Sequence, residues 1–211
     1  MLWLEAETAD GVVGLGETFY AAEAVEAYIH ANLAPIVLGM SAVDIEAVHY
    51  RTRPYVGFVA ASTELRARSA LDIALWDALG KVTGQPISVL LGGRIRSQIP
   101  VYNTCAGNQY VRGTKLGTTE NFGIASSGTD QNYEDLDRFL NDPVGLAGSL
   151  LDMGIDSMKI WPFDFAAEAT QGQFISPAEL NKALAPFEAI KKEYGDRMQI
   201  SAELHGMWNL S

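Results

Sequence analysis

The sequence predicts two structural units: an α+β unit made of a hairpin and helices, then an α/β unit of alternating strands and helices. Three observations carry this reading. An Asp10-Gly11 pair separates two short apolar runs near the N-terminus, which is a strong hairpin signal. Helical spacing then dominates as far as Val82. Past Ser97 the pattern becomes strand, helix, strand, helix, strand, and such alternation implies parallel strands joined by crossover helices. The boundary falls near Ser97, giving units 1–97 and 98–211.

In the first unit, Leu2 to Glu7 and Val12 to Glu17 read as the two strands, the glycines of the second marking a bend or a close backbone approach. Ala21 to Leu33 is helical, with Ala24, Val25, Tyr28 and Ile29 on one face, and Asp44 to Tyr50 is a shorter helix ended before Arg53-Pro54. The best-defined helix runs from Thr63 to Val82. Ser62 or Thr63 can cap it, Gly84 supplies a left-handed stop, and Leu65, Leu71, Leu75, Leu79 and Val82, widened by Ile73 and Trp76, form its apolar face.

In the second unit Ile99 to Thr104 is a short β-rich run. Gly107 to Asn132, rich in Gly, Ser, Thr and Asn, reads as a long loop of the kind that is usually functional. Tyr133 to Leu140 is helical, and Asp142-Pro143 starts a second helix with a cap and an N1 proline. Asp156 to Trp161 is a strand. Ser176-Pro177-Ala178-Glu179 is a capping box opening a helix toward Tyr194, which Pro186 is expected to kink or break. Met198 to Glu203 is the last strand.

Composition narrows the function classes. A net charge of −11 and a pI near 4.6 repel phosphates and anionic lipids, so neither nucleic acid nor a membrane is an expected partner. No apolar run reaches the ~18–20 residues of a membrane span, and the N-terminus lacks the basic and apolar regions of a signal peptide. The single cysteine, Cys105, fits a reducing compartment, so the cytoplasm is expected.

Ligands of parallel α/β folds bind at the C-terminal ends of the strands. Those ends carry Asn103, Thr104 and Cys105, then Lys159 and Trp161, then Glu203 and His205. Strand side chains alternate, so Lys159 and Trp161 are expected to share a face, and Glu203 and His205 another. A lysine near the end of a buried strand needs a counter-charge. His30 and His49, on helices, are expected to be structural.

The run Ser69-Ala70-Leu71-Asp72-Ile73-Ala74-Leu75-Trp76-Asp77-Ala78-Leu79-Gly80-Lys81, continuing through Gly84-Gln85-Pro86 to Leu90-Leu91-Gly92-Gly93, resembles the mandelate racemase/muconate lactonising family of the enolase superfamily. Val101-Tyr102-Asn103, Met158-Lys159-Ile160-Trp161 and Glu203-Leu204-His205-Gly206 resemble its first three barrel strands. The resemblance implies an α+β capping domain followed by the first three strands of an incomplete (β/α) TIM-like barrel that binds Mg²⁺. It implies proton removal next to a carboxylate, with Glu203 as a metal ligand, His205 as the acid assisting departure of a β-hydroxyl, and Lys159 beside the substrate carboxylate. Thr18, Phe19 and Tyr20 resemble the capping loop that shapes the substrate end of the pocket, with Asn103 and Trp161 as further substrate contacts. The implied enzyme is an acid-sugar dehydratase acting on a small sugar acid, a homo-oligomer when full length.

Two departures qualify this. Trp161 replaces the second lysine of the family's Lys-x-Lys, and an indole cannot act as a base, which counts against a racemase, epimerase or cycloisomerase. A full barrel needs about 250 residues, far more than follow the capping segment. The expected chain is therefore a fragment, with a first capping strand missing; a catalytically incompetent truncated protein or subunit is the remaining alternative.

Overall fold

A computed structural model describes residues 1–55, 62–107, 119 and 134–209. These form two compact units, Met1–Ser97 and Gln98–Ser211. Among the described residues no helix is long and apolar enough to cross a membrane.

The first unit opens with strands β1 (Leu2–Glu7) and β2 (Val13–Thr18), paired antiparallel from Leu2↔Thr18 to Glu7↔Val13. Gly11, at φ 79°, makes the turn. Helix α1 (Ala22–Tyr28) continues through a π turn, Ile29–Leu33, into α2 (Ala34–Val37). Pro35 accounts for the widened turn, because it has no N–H to give Ala31 and its ring would press on that carbonyl. Val25, Ile29 and Leu33 are buried here, whereas Ala24, expected on the same face, is exposed. Helices α3 (Ile45–Thr52), α4 (Thr63–Thr83) and α5 (Ile87–Leu90) follow.

The buried face of α4 is not the leucine stripe alone. Ala67, Ala70, Ala74 and Ala78 are buried with Leu71 and Leu75, while Leu65, Ile73 and Val82 lie at the surface. Strand β2 explains the difference. A Cβ on Gly14 would stand 2.0 Å from the Ala74 carbonyl oxygen, and one on Gly16 2.0 Å from that of Ala70. Two glycines of the strand thus meet the alanines of the helix, and the backbones approach more closely than large side chains allow. The outer edge of β2 is bonded by the same helix: Leu15 N–H donates to Asp77 (2.8 Å) and Lys81 donates to the Val13 carbonyl (2.7 Å). Gly84 ends α4 at φ 64°, as expected. Ser62 does not cap it; its backbone sits at φ 60°, away from the extended geometry that aims a capping hydroxyl at the first turn.

In the second unit the β-rich run from Ile99 contracts, among the described residues, to a single parallel bridge, Asn103↔Met158. Ile99 and Val101 are exposed, and Pro100 has no N–H for a ladder. Most of the stretch expected as a long loop lies outside the described residues. Helices α6 (Asp135–Asn141) and α7 (Pro143–Asp152) lead to β3 (Ser157–Ile160), α8 (Asp164–Thr170), α9 (Pro177–Tyr194) and β4 (Gln199–Ala202). Asp142 caps α7 by accepting from Gly145 N–H (3.1 Å). Ser176 and Glu179 close the capping box of α9, each accepting from the other's backbone N–H (3.2 and 2.9 Å). That helix is not broken at Pro186: the proline is buried in line with Ala183 and Ile190, and this packing offsets the lost bond to Lys182.

Strands β3 and β4 pair in parallel, Ser157↔Gln199 through Ile160↔Ala202. Beneath them Phe139, Leu146, Leu150, Met158, Ile160, Trp161, Ile190 and Met198 form the core. The crossover of α8 and α9 between parallel strands is the α/β arrangement read from the sequence.

Candidate active site at the ends of the parallel strands

Lys159 and Ser201 are opposite one another in the ladder, two residues before Glu203. The pleat aims Lys159 toward the end of β4, where its ammonium meets the Glu203 carboxylate at 3.1 Å. Its Nζ also lies 3.5 Å from the Tyr102 hydroxyl and 5.1 Å from the centre of that ring. Lys159 is thus a buried-strand lysine with its counter-charge. Burial works against the ammonium, but the hydrogen bonds to Glu203 and Tyr102 outweigh it and raise its pKa.

Ladder bonding continues one residue past β4, with Glu203 N–H donating to Ile160 O (3.0 Å). The chain then turns. Glu203 Oε1 accepts from Leu204 N–H (3.1 Å) and His205 N–H (3.0 Å), and His205 and Gly206 take left-handed backbones at φ 46° and 65°. The His205 amide first, and Lys159 next, hold the Glu203 carboxyl below its usual range.

This turn changes the relation between the two residues. Strand alternation does not set the direction of His205, because β4 ends at Ala202. The imidazole instead reaches Asp164 in the first turn of α8, with Nδ1 2.5 Å from Oδ2, and lies edge-on to the Trp161 ring at 5.7 Å. Asp164 is fully buried, and its Oδ1 has no hydrogen-bond partner among the described residues. Burial pushes its carboxyl up, against the pull of His205. A carboxylate accepting from Nδ1–H fixes the tautomer that leaves Nε2 to accept or deliver a proton.

Lys159, Glu203 and His205 are therefore brought into one cluster, linked by Glu203. Trp161 and Asn103 stand differently. The strand ends at Ile160, ahead of Pro162, so alternation fails at the next residue and Trp161 does not share the surroundings of Lys159. It is fully buried, edge-on to Phe139 at 5.2 Å, and backs the imidazole. The Asn103 side-chain amide donates to Asp135 (2.7 Å) and ties the bridge residue to α6. Thr18, Phe19 and Tyr20 belong to the first unit: Thr18 closes β2, and the Phe19 and Tyr20 rings stack edge to face at 4.8 Å, with Arg66 5.0 Å from the Tyr20 centre. His49, read as structural, pairs with Asp72 at 2.7 Å.

Asp164 is the residue that sequence reasoning missed. Its signal was present: Trp161-Pro162-Phe163-Asp164 follows a strand end directly and precedes the helix formers Ala166, Ala167 and Glu168.

As to a metal, Glu203 offers carboxylate oxygens, but they are engaged by an ammonium and two amides. No group of three His, Cys, Asp or Glu gathers among the described residues. Mg²⁺ requires near-octahedral oxygen coordination, so these residues do not fit a Mg²⁺ site by themselves.

Residues 1–92 match the family described as mandelate racemase/muconate lactonizing enzyme, N-terminal domain. A D-mannonate dehydratase of Novosphingobium aromaticivorans is 30% identical over 196 residues, covering 91% of this chain and 46% of that protein. An L-rhamnonate dehydratase of Saccharopolyspora erythraea is 37% identical over 106 residues, 49% of this chain and 26% of that protein. The crystal structure of an enolase of the mandelate racemase subgroup from Agrobacterium tumefaciens superposes with a TM-score of 0.77 at 42% identity, covering 98% of this chain and 47% of that one. The chain spans about half the length of the first curated relatives it matches. Its hairpin and helices over residues 1–92 are those of the N-terminal domain of the mandelate racemase/muconate lactonizing enzyme family of the enolase superfamily, to which this chain belongs.

Proposed function

We propose that this chain is part of an acid-sugar dehydratase, which removes water from a sugar acid to give a 2-keto-3-deoxy acid. The observation that carries the reading is the His205–Asp164 pair, set beside the Lys159–Glu203 ion pair at the ends of two parallel strands. The sugar-acid dehydratases among its relatives support it.

The chemistry asks for loss of the α-proton, cleavage of the β-carbon–oxygen bond and a proton for the departing hydroxyl, after which the enol ketonises. In this reading His205, with Nδ1–H given to Asp164, delivers that proton from Nε2 and water leaves. Lys159 supplies a positive charge for the substrate carboxylate. Glu203 would hold the family's Mg²⁺ as one ligand, and the ion would supply positive charge for the developing oxyanion; the other described residues do not complete its shell. Trp161, buried and without a titratable group, offers no base on the β3 side, which favours dehydration over racemisation.

The test is His205→Asn in the enzyme, assayed against a sugar-acid library. Dehydration is expected to fall by about 10²-fold or more, the usual worth of a general acid. Unchanged dehydration would remove His205 from the mechanism.

A further inference from the structure

Helix α8 touches the segment that follows Glu203 at both of its ends. At its first turn Asp164 takes the His205 imidazole (Nδ1–Oδ2 2.5 Å). Just past its last turn, Gln171 and Gly172 take the backbone beyond His205. Asn209 N–H donates to the Gly172 carbonyl (3.0 Å), and the Asn209 amide donates to the Gln171 carbonyl (3.1 Å). The approach at Gly172 is close: a Cβ there would stand 1.9 Å from the Met207 carbonyl oxygen and 3.1 Å from the Trp208 Cα. Gly172 also has φ 73°, following Gln171 at φ 55°, so two consecutive left-handed residues turn the end of the helix against the tail.

His205 needs such support. It lies beyond the ladder, on a left-handed backbone, where neither strand pairing nor side-chain alternation sets its direction. The bond to Asp164 acts on the ring and does not itself fix the backbone beyond His205. Held by Asp164 and by a backbone pinned four residues on, at Asn209, the ring is fixed at both ends of its lever. We propose that α8 is a two-ended clamp for His205, in which Asp164 and Gly172 are positioning residues: Asp164 orients the imidazole, and Gly172, by lacking a side chain, lets residues 207–209 seat against the helix end. The consequence for catalysis rests on the reading of His205 as the acid; the clamp itself does not.

The experiment separates the two. The purified chain contains three histidines, His30, His49 and His205, so the His205 ring N–H can be assigned by its loss in H205N. A short Nδ1–H···O bond to a buried carboxylate gives a slowly exchanging, far-downfield proton. This signal is expected in the unsubstituted chain and in Gly154→Ala, which carries the same left-handed penalty at φ 79° but meets nothing within 4 Å. It is expected to vanish in D164A. In G172A the proton is expected to exchange at least about tenfold faster, the equivalent of one lost hydrogen bond, and Asn209→Ala, a milder change that leaves the glycine in place, should move it in the same direction. A Gly172→Ala chain that keeps the proton at the Gly154→Ala rate overturns the clamp, as does a chain lacking the signal before any substitution. Turnover of the same variants in the enzyme is then read as a kcat loss with KM little changed. Loss of the proton with kcat unchanged upholds the clamp and removes His205 from the chemistry.

Discussion

Replacing Glu203 by Gln tests the electrostatics of the candidate site without emptying it. The amide keeps the shape and can still accept from the Leu204 and His205 N–H groups, but Lys159 loses its counter-charge. At 3.1 Å two unit charges attract by about 5 kcal/mol at an effective dielectric constant of ~20. Most of that is offset by taking both groups out of water, their side chains being only 18% and 30% exposed. The net loss expected for Glu203→Gln is about 1–2 kcal/mol, read as a shift in urea midpoint at neutral pH.

The pH dependence gives the sharper result. The Glu203 pKa is lowered from its ordinary 4.5 in the folded state, so its contribution is fully present above 4.5 and is lost as pH falls through the folded value. The Lys159 pKa is raised from 10.5, so its contribution is fully present below 10.5 and is lost as pH rises through the folded value. The stability difference between the two proteins should therefore be level between these limits and close at both ends. Asp164 has the opposite sign: burial first, with the Glu203 charge as its smallest contributor, raises its pKa and costs stability as pH rises past 3.8, and Glu203→Gln removes only that smallest part while burial acts alike in both proteins. A difference that persists undiminished well below pH 4.5 would refute the ion-pair account.

Two further outcomes follow from packing. Gly16→Ala should destabilise the first unit by about 1–3 kcal/mol, because the new methyl meets the Ala70 backbone oxygen, which cannot move aside as a side chain could; a melting temperature equal to that of the unsubstituted protein would contradict the close approach of β2 and α4. Cys105 is fully buried, and burial, with the Asp135 charge, pushes its thiol up to about 12. It should resist iodoacetamide at pH 8 in the folded protein and react on unfolding; rapid labelling of the native state would show the thiol to be accessible.

What could be read in advance follows physical locality. The hairpin turn, the Gly84 stop, the Asp142 cap and the Ser176–Glu179 box each depend on a few adjacent residues, and each stands where the sequence places it. The parallel pairing of β3 with β4 was legible too, since strand–helix alternation leaves little other topology. Errors gathered where a distant neighbour decides. Of the kink or break expected at Pro186 the break does not occur, because the core holds the proline inside its helix, and the Ile99 run makes only one bridge among the described residues.

The sequence by itself determined the family, the order of most elements, though not the short helix α8, and the types of group at the strand ends: Lys159, Glu203 and His205 are chemistry-bearing residues wherever they point. Only the tertiary structure decided their relations. Glu203 answers Lys159 because parallel pairing lays one strand end beside the other. His205 turns away to Asp164, forty-one residues earlier in the chain, because the strand has already ended. A period of two along a strand states directions only while the ladder lasts; beyond it the direction of a side chain is set by whatever packs against it, here a helix that no local pattern tied to the histidine.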